Sequence, residues 1–126
     1  MAIGGPIESV SIDGRVFAVT ADADATRKLG GNNLDTGPNG NGTSRILVTR
    51  ESWSVEGLVL ECDDFRDDQE YIQQLNENPR FADIALTYAS GAVYGGSGIV
   101  SGDNTMSNLT ATMTVNLKGS GKLTRQ

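Results

Sequence analysis

Residues 108–117 constrain this chain more than any other stretch. Leu109, Ala111, Met113, Val115 and Leu117 alternate without a fault with Thr110, Thr112, Thr114 and Asn116. Strand side chains alternate with period two, so the run reads as one long strand with an apolar face and a polar, uncharged face. Solvated strand faces usually carry Lys or Glu. A row of threonines fits a face turned to another subunit or to an enclosed channel. It equally fits a plain solvent face built from a good strand former.

The other segments follow the same β-rich pattern. Ile7–Ile12 reads as a strand, Asp13 and Gly14 as a two-residue hairpin turn, and residues 15–20 as the returning strand. Residues 45–62 read as one long strand region. In it Trp53 and Val55 share one face, Ser52, Ser54 and Glu56 share the other, and Gly57 marks a bulge or bend. Residues 83–89 alternate again, and a glycine-softened strand follows over 92–100. The tail from Gly119 to Gln126 reads as exposed. One helix is expected, capped by Asp67 with Glu70 three residues on and stopped by Asn78 and Pro79. Its apolar stripe is Tyr71, Ile72 and Leu75. The expected fold is mainly β with one helix: a small β-sandwich or partly closed barrel packed by that helix, in a single domain over 1–126.

Residues 21–44 break the pattern. They are rich in Gly and Asn, carry Asp22 and Asp24 beside Arg27 and Lys28, and offer Leu29 and Leu34 as apolar pegs. Read as a long loop, the segment is either a linker or a docking element for a neighbouring copy.

The chemistry the chain excludes is as informative. There is no His, which removes the usual nucleophile triads and most zinc sites. The single cysteine, Cys62, cannot build an internal disulfide framework and reads as a packed strand residue. The aspartates at 22 and 24 fail as a calcium loop, because Arg27 falls where the turn glycine belongs and Asn33 where the closing Glu belongs. Gly121 and Lys122 fail as a phosphate loop, since Leu123 follows the lysine. No catalytic residue, metal or cofactor is expected. A net charge of −6 opposes a nucleic-acid groove. The first residues show neither a basic region nor a long apolar run, so no secretory leader is expected. No apolar stretch is long enough to span a bilayer, so no membrane partner is expected either.

Four segments in order carry a resemblance. They are residues 11–15 (Ser-Ile-Asp-Gly-Arg), residues 21–25 with 27–30, residues 87–92 (Thr-Tyr-Ala-Ser-Gly-Ala), and the closing 117–126. Together they resemble the tail tube proteins of contractile-tailed bacteriophages, which are related to type VI secretion and contractile injection system tubes. That resemblance implies a structural subunit in stacked hexameric rings, with strands contributed to an inter-subunit inner β-barrel. It implies a hollow conduit for DNA delivery, a place in the virion tail after assembly in the host cytoplasm, and sheath, tape-measure and baseplate proteins as partners. The lumen-facing candidates are then Thr110, Thr112, Thr114 and Asn116, with Ser52, Ser54 and Glu56 second. The inter-ring candidates are Asp22, Asp24, Arg27, Lys28, Leu29 and Leu34, and the helix is expected outside, against the sheath. Six copies at −6 each would keep DNA from sticking in passage. The alternative from a different class is a monomeric β-sandwich module that binds a ligand through 21–44.

Overall fold

The computed structural model describes residues 2–21, 24–102 and 105–126. Its strands are β1 (Ile7–Ile12), β2 (Arg15–Ala18), β3 (Thr26–Lys28), β4 (Gly31–Pro38), β5 (Ser44–Glu51), β6 (Ser54–Glu61), β7 (Ala82–Tyr88), β8 (Val93–Ser101), β9 (Met106–Ser107) and β10 (Thr112–Arg125). One helix, α1 (Asp68–Glu77), follows a 3-10 turn at Asp64–Arg66. The main antiparallel sheet runs β2-β1-β7-β8-β10-β6-β3, with β9 on β10. It curls until Val19 bridges Leu60 and the Thr20 N–H reaches the Val59 carbonyl at 3.1 Å. One bridge is not a ladder, so the result is sandwich-like rather than a closed barrel. Among the described residues, β4 and β5 pair only with each other.

The alternation in β10 does what the period-two reading requires, but from Met113 onward. Met113, Val115 and Leu117 are buried beside Leu58, Leu60 and Val55 of β6, while Thr112, Thr114 and Asn116 turn outward. Each fully buried Leu or Val contributes about 1.5–3 kcal/mol. The expected strand starts too early. Residues 108–111 form a turn, Leu109 is exposed, and Ala111 takes φ +53. The expected end is also too early. Residues 119–125 continue β10 against β8, and Leu123 is buried. The glycines at 119 and 121 hid this strand end from a propensity reading, although β8 supplies its partner.

Gly57 does make a bulge. Val115 faces Leu58 and Leu117 faces Val55, so Glu56 and Gly57 together oppose Asn116. Gly57 takes φ +80, and its N–H donates to Asn116 Oδ1 at 3.1 Å. The hairpin at Asp13 and Gly14 has φ +51 and +86, the doubly positive turn that matches strand twist.

The loop expected over 21–44 is mostly strand. β3 pairs with β6, and β4 pairs with β5 through eight facing residues from Gly31↔Glu51 to Pro38↔Ser44. The two asparagine–glycine pairs at 39–42 are the turn of this hairpin, closed by Asn39 N–H to Thr43 O at 2.7 Å. The strand formers at 46–49 supply the β-preference that 31–38 lacks. The strand region expected over 45–62 is correspondingly two strands, broken at Ser52 and Trp53.

The helix stops at Asn78 and packs Ile72 inward, with Tyr71 and Leu75 half-buried on the core. Its start differs from the capping-box expectation. Asp67 adopts φ +54 and makes no side-chain cap. Instead Asp63 Oδ1 accepts from the Phe65 N–H at 2.9 Å, and Asp68 is drawn inside.

A candidate assembly surface

Asp68 is the one buried charged residue among those described. Its carboxylate takes the Arg15 guanidinium at 2.8 Å and the Asp63 N–H at 2.9 Å. Arg15 in turn lies over the Tyr71 ring at 4.6 Å. This pair locks helix entry to the first hairpin and commits the Asp68 carboxylate to it. Asp13 is held below the usual carboxylate range, first by the Asp83 N–H and then by Arg80 at 2.5 Å. Cys62 is pushed up to about 11, mainly by burial and then by Asp68, Asp64 and Glu61. A thiol so protonated, with Met113 Sδ at 3.8 Å, is no nucleophile.

At the other end of the sheet, Trp53 lies on a floor of glycine. A Cβ on Gly119 would fall 1.7 Å from Trp53 Nε1, and one on Gly98 would fall 2.7 Å from Cζ2. The indole N–H donates to the Ser97 carbonyl at 3.1 Å. Trp53 also takes the Gly119 N–H at 2.9 Å and donates its own to Gly121 O at 3.0 Å.

The β4–β5 ribbon has no such core. Directly opposed residues share a face, so Leu34, Thr36, Ile46 and Val48 form one side. Leu34 is 63%, Ile46 72% and Val48 56% exposed. Asn33, Asp35, Arg45, Leu47 and Thr49 form the other side, with Leu47 the one large apolar residue on it. An isolated two-stranded ribbon is marginal in water, and open strand edges are liabilities that proteins normally cover.

The expected site residues divide among three places. Thr112, Thr114 and Asn116 share the outward face of β10, and Ser54 pairs with Lys118 on the same two-strand surface. Glu56 is exposed at the bulge, Ser52 is exposed at the break between β5 and β6, and Thr110 sits in the preceding turn. There its hydroxyl lies 2.8 Å from that of Thr112. Arg27 and Lys28 lie on β3, Leu29 in the short link after it, and Leu34 on the ribbon. Asp24 is exposed just before β3, while Asp22 lies outside the described residues. The candidates therefore fall on the outward β10–β6 face, at the bulge, break and turn around it, and along β3 to the ribbon, not in one cluster.

Sequence reasoning missed two features. Arg27 lies against both Tyr88 and Tyr94, which meet edge to face, with its guanidinium carbon 4.8 and 4.2 Å from their centroids. Burial pushes the Tyr88 hydroxyl up, and the Arg27 charge opposes the shift. Nothing in local spacing links residues 27, 88 and 94. The other is an apolar cleft of about 360 Å³ beside the helix C-terminus, lined by Leu75, Phe81, Ile84 and Val100. Its one cation, Arg80, is committed to Asp13, so the cleft lacks convergent polar groups.

Comparison with solved structures decides what the architecture resembles. The tube-terminating cap of the anti-feeding prophage matches over 100% of this chain and 94% of its own, with TM-score 0.63 and 14% identity. This chain shares the fold of that cap. The sheath/tube terminator of the extracellular contractile injection system PVC, solved in its extended state, matches over 99% of both chains, with TM-score 0.59 and 14% identity. No protein-family model and no curated protein sequence matches the chain.

Proposed function

We propose that this chain is a non-enzymatic structural subunit of the tube of a contractile tail or injection system. It assembles with itself into stacked hexameric rings that form a hollow conduit for DNA, in a phage tail built in the host cytoplasm. Sheath, tape-measure and baseplate proteins are its partners. The observation that carries this reading is the β4–β5 ribbon, whose apolar face is uncovered by its own subunit. A second copy is the occupant that covers such a face and, repeated, closes the open sheet edges. The full-length likeness to two tube-terminating proteins supports the same machine class.

In this assembly the outward face of Thr112, Thr114 and Asn116, extended by Ser54 and bounded by Glu61 and Lys118, lines the lumen. The ribbon and β3, with Leu29, Leu34, Arg27 and Lys28, make contacts between copies, and α1 faces the sheath. A second reading has a specific observation behind it. The two solved structures described above are terminators, so the chain would form one closing ring rather than a long tube.

Negative-stain electron microscopy across a concentration series tests both. Hollow tubes of open-ended length support the tube subunit. Discrete single rings support the terminator. Monomers at every concentration, including with an added baseplate nucleus, remove both readings.

A further inference from the structure

The net charge is not spread over the molecule. Residues 61–83 hold eight acids and two bases and so carry the whole −6, while the rest of the chain, with eight of each, is neutral. The topology gathers this acidic segment at one end. β6 ends there at Glu61, β10 begins there at Thr112, and α1 crosses it to β7. The opposite end lies about 23 Å away along β6, from seven strand steps of about 3.3 Å. Lys28 and Lys118 face Ser54 there, and Arg125 faces Tyr94.

Each end carries a shaped feature. At the acidic end Phe65 is 99% exposed in the 3-10 turn, with exposed Asp64 and Asp67 on either side. Asp63 Oδ1 and the Asp67 N–H to Asp64 O bond hold that turn in place. At the basic end a hollow of about 390 Å³ is lined by Ile3, Arg27, Tyr88, Tyr94 and Arg125. Arg27 is fixed there by its two rings, and neither Arg27 nor Arg125 has a carboxylate partner among the described residues. The Tyr88 hydroxyl is buried in the hollow's wall beside Arg27.

We infer that the Asp64-to-Asp67 turn of one copy plugs the Arg27–Arg125 hollow of the next, with Phe65 against the tyrosines and the two aspartates on the two arginines. The occupant is a second copy because the complementary charge, the aromatic knob and the aromatic socket are all on this chain. A knob and a socket at opposite ends make a head-to-tail contact, which closes into a ring or continues as a filament and gives the assembly one polarity. Charge complementarity of this kind speeds encounter and rejects the reversed orientation. This inference rests on the subunit reading above and names the contact that reading leaves open.

A charge swap tests it. Arg27→Glu/Arg125→Glu has two acidic ends, and Asp64→Lys/Asp67→Lys has two basic ends. After circular dichroism confirms folding, each alone is expected to need at least about tenfold more protein to assemble. An equimolar mixture is expected to co-assemble near the wild-type concentration, as an alternating chain. Phe65→Ala, at a fully exposed position, tests the knob without risk to the fold and is expected to weaken assembly. A photo-crosslinking benzoylphenylalanine at position 65 is expected to join residues 1–5 or 88–94 of another copy. Variants that assemble like wild type, a mixture that stays dissociated, or crosslinks elsewhere would overturn the contact while the subunit reading stands. A wild-type chain that never assembles would overturn the subunit reading itself.

Discussion

β10 and the β4–β5 ribbon are both regular β-structure, yet they stand in opposite relations to the core. β10 is paired on both edges and buries Met113, Val115, Leu117 and Leu123 within its own subunit. The ribbon satisfies its backbone through one ladder only and buries none of Leu34, Ile46 or Val48. Burial of apolar surface is the main driving force of folding, so the first region explains why the subunit folds. The second is the exposed apolar face on which the proposed assembly rests. The lesson is that an apolar alternation shows that a face will be covered, not which chain covers it.

The comparison breaks most visibly at Trp53. Gly119→Ala puts a methyl group inside the indole, and neither the clamped strand nor the ring has room to yield. A loss of about 3 kcal/mol or more is expected in chemical denaturation, read by tryptophan fluorescence. Asp68→Ala comes next. It strands Arg15 at the helix entry and removes the acceptor of the Asp63 N–H, at about 2–3 kcal/mol by the same measurement. A stable Gly119→Ala subunit would show that the main sheet is as loosely held as the ribbon.

How much of this was legible follows from the range of each interaction. The Asp13 turn, the Gly57 bulge, the helix stop and the inward set of β10 are decided by near neighbours, and they read directly from spacing. The ribbon was hidden because β4 owes its conformation to β5, not to its own Gly- and Asn-rich residues. The burial of Asp68 has no local signal, because its partner, Arg15, is 53 residues away. The Arg27 stack needs three strands to be placed before it exists. Among the proposed site residues, period two put Thr112, Thr114 and Asn116 on one outward face, where the structure has them. It put Thr110 there as well, but the turn at 108–111 ends the strand before it.

Smaller effects sharpen the contrast. Asp13→Asn keeps the turn, because Asn tolerates positive φ, but loses the charge facing Arg80. The carboxyl is depressed in the folded state, so its contribution is present above the unfolded value of about 3.9. It is lost as pH falls through the lower folded value. A gap of about 0.5 kcal/mol between wild type and Asp13→Asn is expected at pH 7, closing as the carboxyl is protonated in the acid part of a pH series of denaturation curves. A gap that widens in acid would contradict the assignment.

The smallest effect on the subunit is the most telling. Ile46→Asp/Val48→Asp places two charges on the exposed ribbon face and touches no core residue. Subunit stability should change by no more than about 0.5 kcal/mol, as for other surface positions. Assembly should nevertheless fail in sedimentation velocity at concentrations where wild type associates, because a charge buried at an interface without a partner is strongly unfavourable. A large loss of subunit stability would mean that the ribbon is already part of the folding core. Undiminished assembly would mean that no neighbour covers it. Only an unchanged subunit that no longer associates fits a face that the fold leaves for a second copy.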